Sequence, residues 1–213
     1  MPKVLSLDFA GTLVGQGLLD HFWLDLVPLF YSQKHGVWLS EAKDEVYGAY
    51  EEVGKGDVRW YDPRYWFERF GMPDKLEEAI AEAGKRMEVY PDVVSLKPLE
   101  SKYSLVICST VTEEFLEDWA PKLGLNISAV FSAVSDFGMV TKDELFYRRV
   151  AEALGVSPGE VVHVGDDYKV DFEAPRKVGC FAVLLDRQRQ HPDVHPSVAS
   201  LSGLPPLLER LSQ

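Results

Sequence analysis

Asp8, Ser109, Lys142 and the group Asp166, Asp167 and Asp171 lie far apart in the chain, yet most of them follow a short apolar run. Asp8 ends the stretch Lys3-Val4-Leu5-Ser6-Leu7. Ser109 and Thr110 follow Leu105-Val106-Ile107-Cys108, and Gly165-Asp166-Asp167 follows Val161-Val162-His163-Val164. Lys142 stands just before the helical pattern that opens at Asp143. Gathered in one place, a carboxylate, a hydroxyl, an ammonium and an acidic cluster suit one chemistry. An aspartate attacks a phosphoryl group, Mg²⁺ is held by hard oxygens, and cationic and hydroxyl donors face the phosphoryl oxygens. Singly, each residue has a plainer use. An Asp after a strand caps the next helix, a loop Ser bonds backbone, and a Lys is normally solvated. Acids also favour helix N-termini. It is the order, one group to each strand end, that points to chemistry.

Strand ends meet only if the strands run parallel, and the hydrophobic pattern says they do. From Tyr90 onward, helical and strand-like segments alternate. Helices are expected at Asp92–Tyr103, Glu113–Leu123, Asp143–Leu154 and Val170–Val178. Strands are expected at 105–108, 129–132, 161–164 and 181–185, with a last helix at Leu204–Leu211 and Pro205 in its first turn. Alternating apolar strands and helices build an α/β fold with a parallel sheet covered on both faces, and ligands bind beyond the carboxyl ends of such strands. Between the first strand and this region the pattern is helical and aromatic. Helices are expected at Leu18–His35, at Ser40–Val53 with Ser40 as cap, at Pro63–Phe70, and from Pro73 to about Met87. The expected organisation is a core of residues 1–14 and 90–213 interrupted by a helical insertion of residues 15–89. Trp60, Tyr61, Tyr65, Trp66 and Phe67 are expected to fill the insertion's interior, with one or two free to line a pocket.

Composition narrows the function. The 213 residues carry 34 acidic and 22 basic side chains, a formal charge of −12. A broad basic face for nucleic acid is therefore not expected, although one local phosphate pocket is compatible with that balance. The two cysteines, Cys108 and Cys180, supply neither a disulfide framework nor a four-thiolate zinc site. The start, Met1-Pro2-Lys3-Val4, lacks the apolar region of a signal peptide. Leu18–Phe30 is too short and too polar to span a bilayer. A cytoplasmic protein with no membrane or nucleic-acid partner, a monomer or homodimer, is expected. Pro192 between His191 and His195 argues against a helical histidine metal pair. Gly15 and Gly17 form no phosphate-binding glycine loop.

The strand-end motifs resemble those of the haloacid dehalogenase superfamily of hydrolases. The matching stretches are Leu7-Asp8-Phe9-Ala10-Gly11-Thr12-Leu13, Leu105–Ser109, Lys142-Asp143-Glu144-Leu145-Phe146 and Val162–Asp171, with Tyr90-Pro91-Asp92-Val93 and Ala174–Gly179 as framework. The resemblance extends to about Leu185. It implies a Rossmann-like parallel sheet core with an inserted α-helical cap. It implies a hydrolase acting on a small phosphorylated molecule through an aspartyl-phosphate, with Mg²⁺ as cofactor. Carried over by position, Asp8 is nucleophile and metal ligand, while Ser109 and Lys142 hold phosphoryl oxygens. Asp166 and the carbonyl of Ala10 are metal ligands, and Asp167 and Asp171 bind the metal or support its ligands. Thr110 and Lys55 are expected at the substrate.

Ala10 departs from the pattern. Phosphatases of this superfamily usually carry there a second Asp that protonates the leaving group and then activates water. General acid–base help is worth roughly 10²- to 10⁴-fold in rate. Its loss leaves several readings open. One is a Mg²⁺-dependent phosphatase with another proton source or good leaving groups. Another is C–P cleavage, because the first motif resembles the Asp-x-Ala-Gly-Thr of phosphonoacetaldehyde hydrolase, in which a cap lysine forms a Schiff base; Lys34, Lys43 and Lys55 are the insertion's candidates. The remaining two are a 2-haloacid dehalogenase, a branch that uses no Mg²⁺, and a non-catalytic phospho-ligand binder.

Overall fold

The computed structural model describes residues 2–211; Met1, Ser212 and Gln213, expected in the core, lie outside the described residues. A six-stranded sheet, ordered β3-β2-β1-β4-β5-β6, forms the framework. Its strands are β1 (Val4–Leu7), β2 (Ser104–Ser109), β3 (Ile127–Ser132), β4 (Val161–Gly165), β5 (Phe181–Leu185) and β6 (Ser197–Val198). Every neighbouring pair is parallel. β1 sits in the middle with Leu7 level with Ile107 of β2 and Val164 of β4, so Asp8 emerges between two strand ends.

Both faces are buried along β1 and β4 and almost all of β2 and β5, whereas β3 exposes alternate residues, and alternation along the strands sorts the buried ones. Leu5 and Leu7, Leu105 and Ile107, and Val162 and Val164 enter one large apolar cluster. Val4, Val106, Cys108 and Val161 enter a second cluster on the opposite face. That second face is covered by α8 (Glu144–Leu154), whose Phe146, Tyr147 and Val150 are buried. Burying each such side chain stabilises by about 1.5–3 kcal/mol.

The insertion between β1 and β2 carries α1 (Gly17–His21), α2 (Val27–His35), α3 (Leu39–Val53), α4 (Pro63–Arg69) and α5 (Leu76–Gly84). Its two connections to the core lie side by side. Val14 and Val89 form an antiparallel bridge, and Tyr90 N donates to Leu13 O at 3.0 Å. The insertion's aromatic interior is continuous with the first cluster. Phe22 packs edge-on to Phe115 of α6 (Glu113–Trp119), and the Trp119 indole N–H donates to Ile80 O at 3.3 Å. Of the five aromatics expected inside, Trp66 and Phe67 are buried, whereas Trp60, Tyr61 and Tyr65 are half-buried.

Several elements differ in detail from the sequence expectation. Leu18–His35 is one continuous helical run, as expected, in which α1 passes into α2 through a wide π-type turn at Phe22–Leu26, just before Pro28, which has no amide to donate. α3 starts at Leu39 with Trp38 as its cap, so Ser40 falls inside the first turn. Pro91–Ser101 winds as tight 3₁₀ turns around the internal Pro98. The helix expected at Val170–Val178 is present as one continuous run that starts as a wide π-type turn, Tyr168–Glu173, and ends as the short α9 (Ala174–Lys177). The short α7 (Ala133–Phe137) and strand β6 were not visible in the hydrophobic pattern. α10 (Leu204–Leu211) has Pro205 in its first turn, as expected.

Candidate active site

Four chain segments converge beyond the carboxyl ends of β1, β2 and β4. Asp8 leaves β1 with its amide bonded to Val164 O at 2.9 Å, and its carboxylate is buried. The residues that follow turn back tightly: Leu13 N and Val14 N both donate to Phe9 O, and Gly11 N donates to Val14 O. Gly11 has φ +86°, in the left-handed region that glycine adopts without strain. Ser109 ends β2, and its hydroxyl reaches Asp8 Oδ1 at 3.4 Å. Lys142 is delivered by the loop before α8, whose first turn is fixed by Asp143 accepting from Leu145 N and Phe146 N.

The Lys142 ammonium is buried between two carboxylates. It donates to Asp8 Oδ1, to Asp171 Oδ1 at 2.5 Å and to Cys108 O at 3.3 Å. Burial works against its charge, but Asp171 and Asp8 more than offset this and hold its pKa above the ordinary lysine value. The two acids respond oppositely. Burial pushes Asp8 up to about 7, opposed by Lys142 and reinforced by Asp171 and Asp166. Burial also acts on Asp171, but Lys142 and the His163 hydrogen bond win and hold it well below the usual carboxylate range. Of the two, Asp8 is the one that takes a proton first.

Asp171 is surrounded by further donors besides Lys142. His163 Nε2 lies 3.0 Å from Oδ1, Tyr147 Oη donates to Oδ1 at 3.4 Å, and Asp167 N donates to Oδ2 at 3.1 Å. His163 is itself anchored by Ser6 Oγ at 2.8 Å from Nδ1. Asp166 differs: it is half-buried, and its side-chain donors among the described residues are Thr12 Oγ1 at 3.3 Å and Gln16 Nε2 at 3.0 Å. Burial, then Asp171, push its pKa up. Carboxylate oxygens of Asp8, Asp166 and Asp171 all fall within 4.8 Å of one another.

These residues fit a divalent cation. The donors are hard oxygens, as Mg²⁺ requires. Three carboxylates face a single buried ammonium, and the two with fewer donors, Asp8 and Asp166, are both destabilised in their charged forms. Such mutual repulsion is relieved by a cation among them.

The other expected residues are placed as follows. Ala10 is half-buried against the large cluster beside Asp8 in sequence. Thr110 is half-buried next to Ser109. Asp167 is exposed, and its carboxylate accepts from Lys169 N and Val170 N, so it meets the site through its amide rather than its side chain. Lys55 is exposed in the turn after α3, with its ammonium 5.4 Å from the Trp60 ring centre. Among the described residues it has no bond to Asp8, Ser109 or Lys142. Cys108 and Cys180 are buried free thiols. No helix among the described residues is long and apolar enough to cross a membrane.

His163, Tyr147 and Thr12 serve the site without having been assigned a role from sequence. One signal was present for His163: a polar ring at a buried position of an otherwise apolar strand needs partners.

A family model described as haloacid dehalogenase-like hydrolase matches residues 2–179. The chain is 27% identical over 216 residues to the GMP/IMP nucleotidase YrfG of Escherichia coli K12, covering 95% of this chain and 93% of that protein. It is 33% identical over 131 residues to haloacid dehalogenase-like hydrolase domain-containing protein 3 of Danio rerio, covering 57% of this chain and 53% of that one. Among solved structures, a phosphatase from Thermococcus onnurineus superposes with a TM-score of 0.74 at 24% identity over 97% of both chains. A 2-haloacid dehalogenase from Pseudomonas syringae pv. Tomato DC3000 gives 0.67 at 18% identity over 99% of this chain and 100% of its own. At those identities the likeness concerns the fold.

Proposed function

The chain belongs to the haloacid dehalogenase-like hydrolase family, and from that premise we propose that it is a Mg²⁺-dependent phosphatase of small phosphate monoesters, acting through phosphorylation of Asp8. One observation carries the reading: Asp8 is buried against Lys142, beside Asp166 and Asp171, at the end of the central strand. Three clustered carboxylates fit a cation-assisted phosphatase better than the dehalogenase branch, which uses no Mg²⁺. C–P cleavage by a Schiff base at Lys55 is not supported by that residue's exposed position on Trp60.

Asp8, Asp166 and the Ala10 carbonyl would hold the metal, with Asp171 as a fourth candidate whose oxygens already accept from Lys142, His163 and Asp167 N. The metal, when bound, supplies positive charge opposite the phosphoryl oxygens. Lys142 and Ser109 neutralise and orient those oxygens, and Thr110 extends the same set of donors. Asp8 Oδ attacks phosphorus and the ester P–O bond breaks, releasing the alcohol, which takes its proton from water because Ala10 has none to give. Water then attacks phosphorus of the aspartyl-phosphate, releasing inorganic phosphate and restoring the Asp8 carboxylate. Residues 15–89 act as the cap domain over a core of 1–14 and 90–213. The substrate is a small phosphorylated metabolite, and the name of the Escherichia coli relative makes nucleoside 5′-monophosphates the first to assay. The same reading takes the protein as cytoplasmic, a monomer or homodimer, without nucleic-acid or membrane partners. The net charge of −12 weighs against a broad nucleic-acid-binding face.

The test is chemical trapping. Incubation with radiolabelled phosphate monoester and Mg²⁺, followed by acid quench, leaves label on the protein that hydroxylamine releases. Asp8→Asn removes both label and turnover. Full turnover in that variant would refute the mechanism.

A further inference from the structure

Beside the acidic group lies a cavity of about 320 Å³ whose wall includes Asp166 of that group and Gly11 from the turn after β1. Its far wall is the loop after β5, and that loop is built to present side chains. The Asp186 carboxylate accepts from Gln190 N at 2.8 Å and His191 N at 2.7 Å, folding the backbone around itself. Gln190 Nε2 donates to Gln188 Oε1 at 2.7 Å. That pairing leaves the Gln188 amide donors and the Gln190 amide oxygen with no partner among the described residues. The His191 ring is held flat against Tyr168, 5.2 Å apart at 18°.

Arg187, the one Arg or Lys among the described residues that line the cavity, is committed elsewhere. Arg187 pairs with both oxygens of Asp92, at 2.7 and 3.2 Å, donates to Thr12 O at 2.9 Å and lies 3.9 Å over the Tyr90 ring. With Asp166 and Asp186 also in the wall, no unpaired positive charge lines this space. A second phosphate or a carboxylate would enter at a cost. Amides, an imidazole and a phenol ring suit an uncharged molecule with several hydrogen-bonding edges.

We propose that this cavity receives the leaving group, and that the group is uncharged and polar: the sugar or nucleoside part of a phosphate monoester. The assignment rests on the phosphatase reading for the position of the phosphoryl group, which stands at Asp8; the link to the cavity is Asp166, which lines it and has a carboxylate oxygen within 4.8 Å of one on Asp8. Its volume admits one compact alcohol of this kind and sits at the low end of small-molecule sites.

The test uses inosine 5′-monophosphate and p-nitrophenyl phosphate on the wild type and on a Gln188→Ala/Gln190→Ala double variant. Both glutamines are exposed, so the fold tolerates their loss. The ratio of kcat/KM for the nucleotide to that for the aryl ester should fall at least about tenfold in the variant, mainly through KM. Wild-type kcat/KM for inosine 5′-diphosphate, whose leaving group is charged, should be at least about tenfold below that for the monophosphate. An unchanged ratio, or equal use of the diphosphate, would overturn the assignment. If the wild type hydrolyses none of these esters, the phosphatase reading fails on its own. Calorimetry with inosine then decides the pocket: binding that weakens about tenfold in the variant supports it, and no binding to the wild type overturns it.

Discussion

Gly11 and Asp166 approach more closely than any side chain at residue 11 would allow: a Cβ there would lie 2.4 Å from Asp166 Oδ2. The turn after β1 is thereby pressed against the turn after β4, which brings Asp166 to the cluster around Asp8. Gly165 repeats the device, since a Cβ on it would lie 2.3 Å from Asp171 Cγ. Gly11→Ala should therefore push Asp166 away, while straining a backbone held at φ +86°. The expected result is a folded protein destabilised by about 1–3 kcal/mol, with Mg²⁺ affinity reduced at least tenfold. Calorimetric titration with Mg²⁺ and a thermal melt check both parts. Unchanged metal affinity would mean that Asp166 does not hold the cation.

Lys142 pairs two buried carboxylates, so its removal should cost more than activity. Lys142→Met leaves Asp8 and Asp171 facing each other without a counter-charge, a loss of about 3–5 kcal/mol for a buried ion pair broken on one side. Urea unfolding at pH 7.5 measures it. Millimolar Mg²⁺ should recover part of the loss in the variant, because a cation near Asp8 replaces some of the missing charge.

The opposite pKa shifts of Asp8 and Asp171 set a pH dependence. An acid whose folded pKa is raised, like Asp8 at about 7 against an ordinary 3.8, contributes stability that is complete below 3.8 and lost as pH rises through about 7. Asp171, held low, contributes stability above 3.8 that is lost only as pH falls through its depressed value. In chelator, the wild-type Tm should therefore drop relative to Asp8→Asn between about pH 5.5 and 8.5. Mg²⁺ should raise the wild-type Tm more at the upper pH, because binding must displace the Asp8 proton at the lower one. Parallel Tm curves for the two proteins would contradict the assigned shift.

Ala10 makes leaving-group chemistry visible. Without an acid at residue 10, rates should fall steeply as leaving-group pKa rises, with aryl phosphates best and alkyl phosphates poor. Ala10→Asp should raise alkyl phosphate turnover by about 10²-fold and aryl turnover much less. A series of substituted phenyl and alkyl phosphates, assayed on both proteins, gives the slope. A flat wild-type slope would point to a proton donor elsewhere in the site.

Much of this architecture was legible in the sequence because it depends on local patterns. Apolar runs at 4–7, 105–108, 161–164 and 181–185 could be satisfied only in a sheet buried on both faces, and parallel pairing then carried Asp8, Ser109 and Asp166 to the same edge. The helical texture between residues 15 and 89 marked the insertion. Pro28, Pro98 and Pro175 fall inside segments expected as plain helices, and the local form there, π-type turn or tight 3₁₀ winding, depends on packing.

Tertiary structure alone decided how the acidic residues divide their work. Asp166, Asp167 and Asp171 are equivalent in type and near one another in sequence, yet one is half-free, one caps a helical turn and one is saturated by Lys142, His163, Tyr147 and a backbone amide. Those partners come from positions as far as 29 residues away, and hydrogen-bond saturation depends on distances that no spacing encodes. The loop from Asp186 to His191 was silent for the same reason: its amides and rings acquire meaning only because β5 lies beside β4, where the loop can close over Asp166.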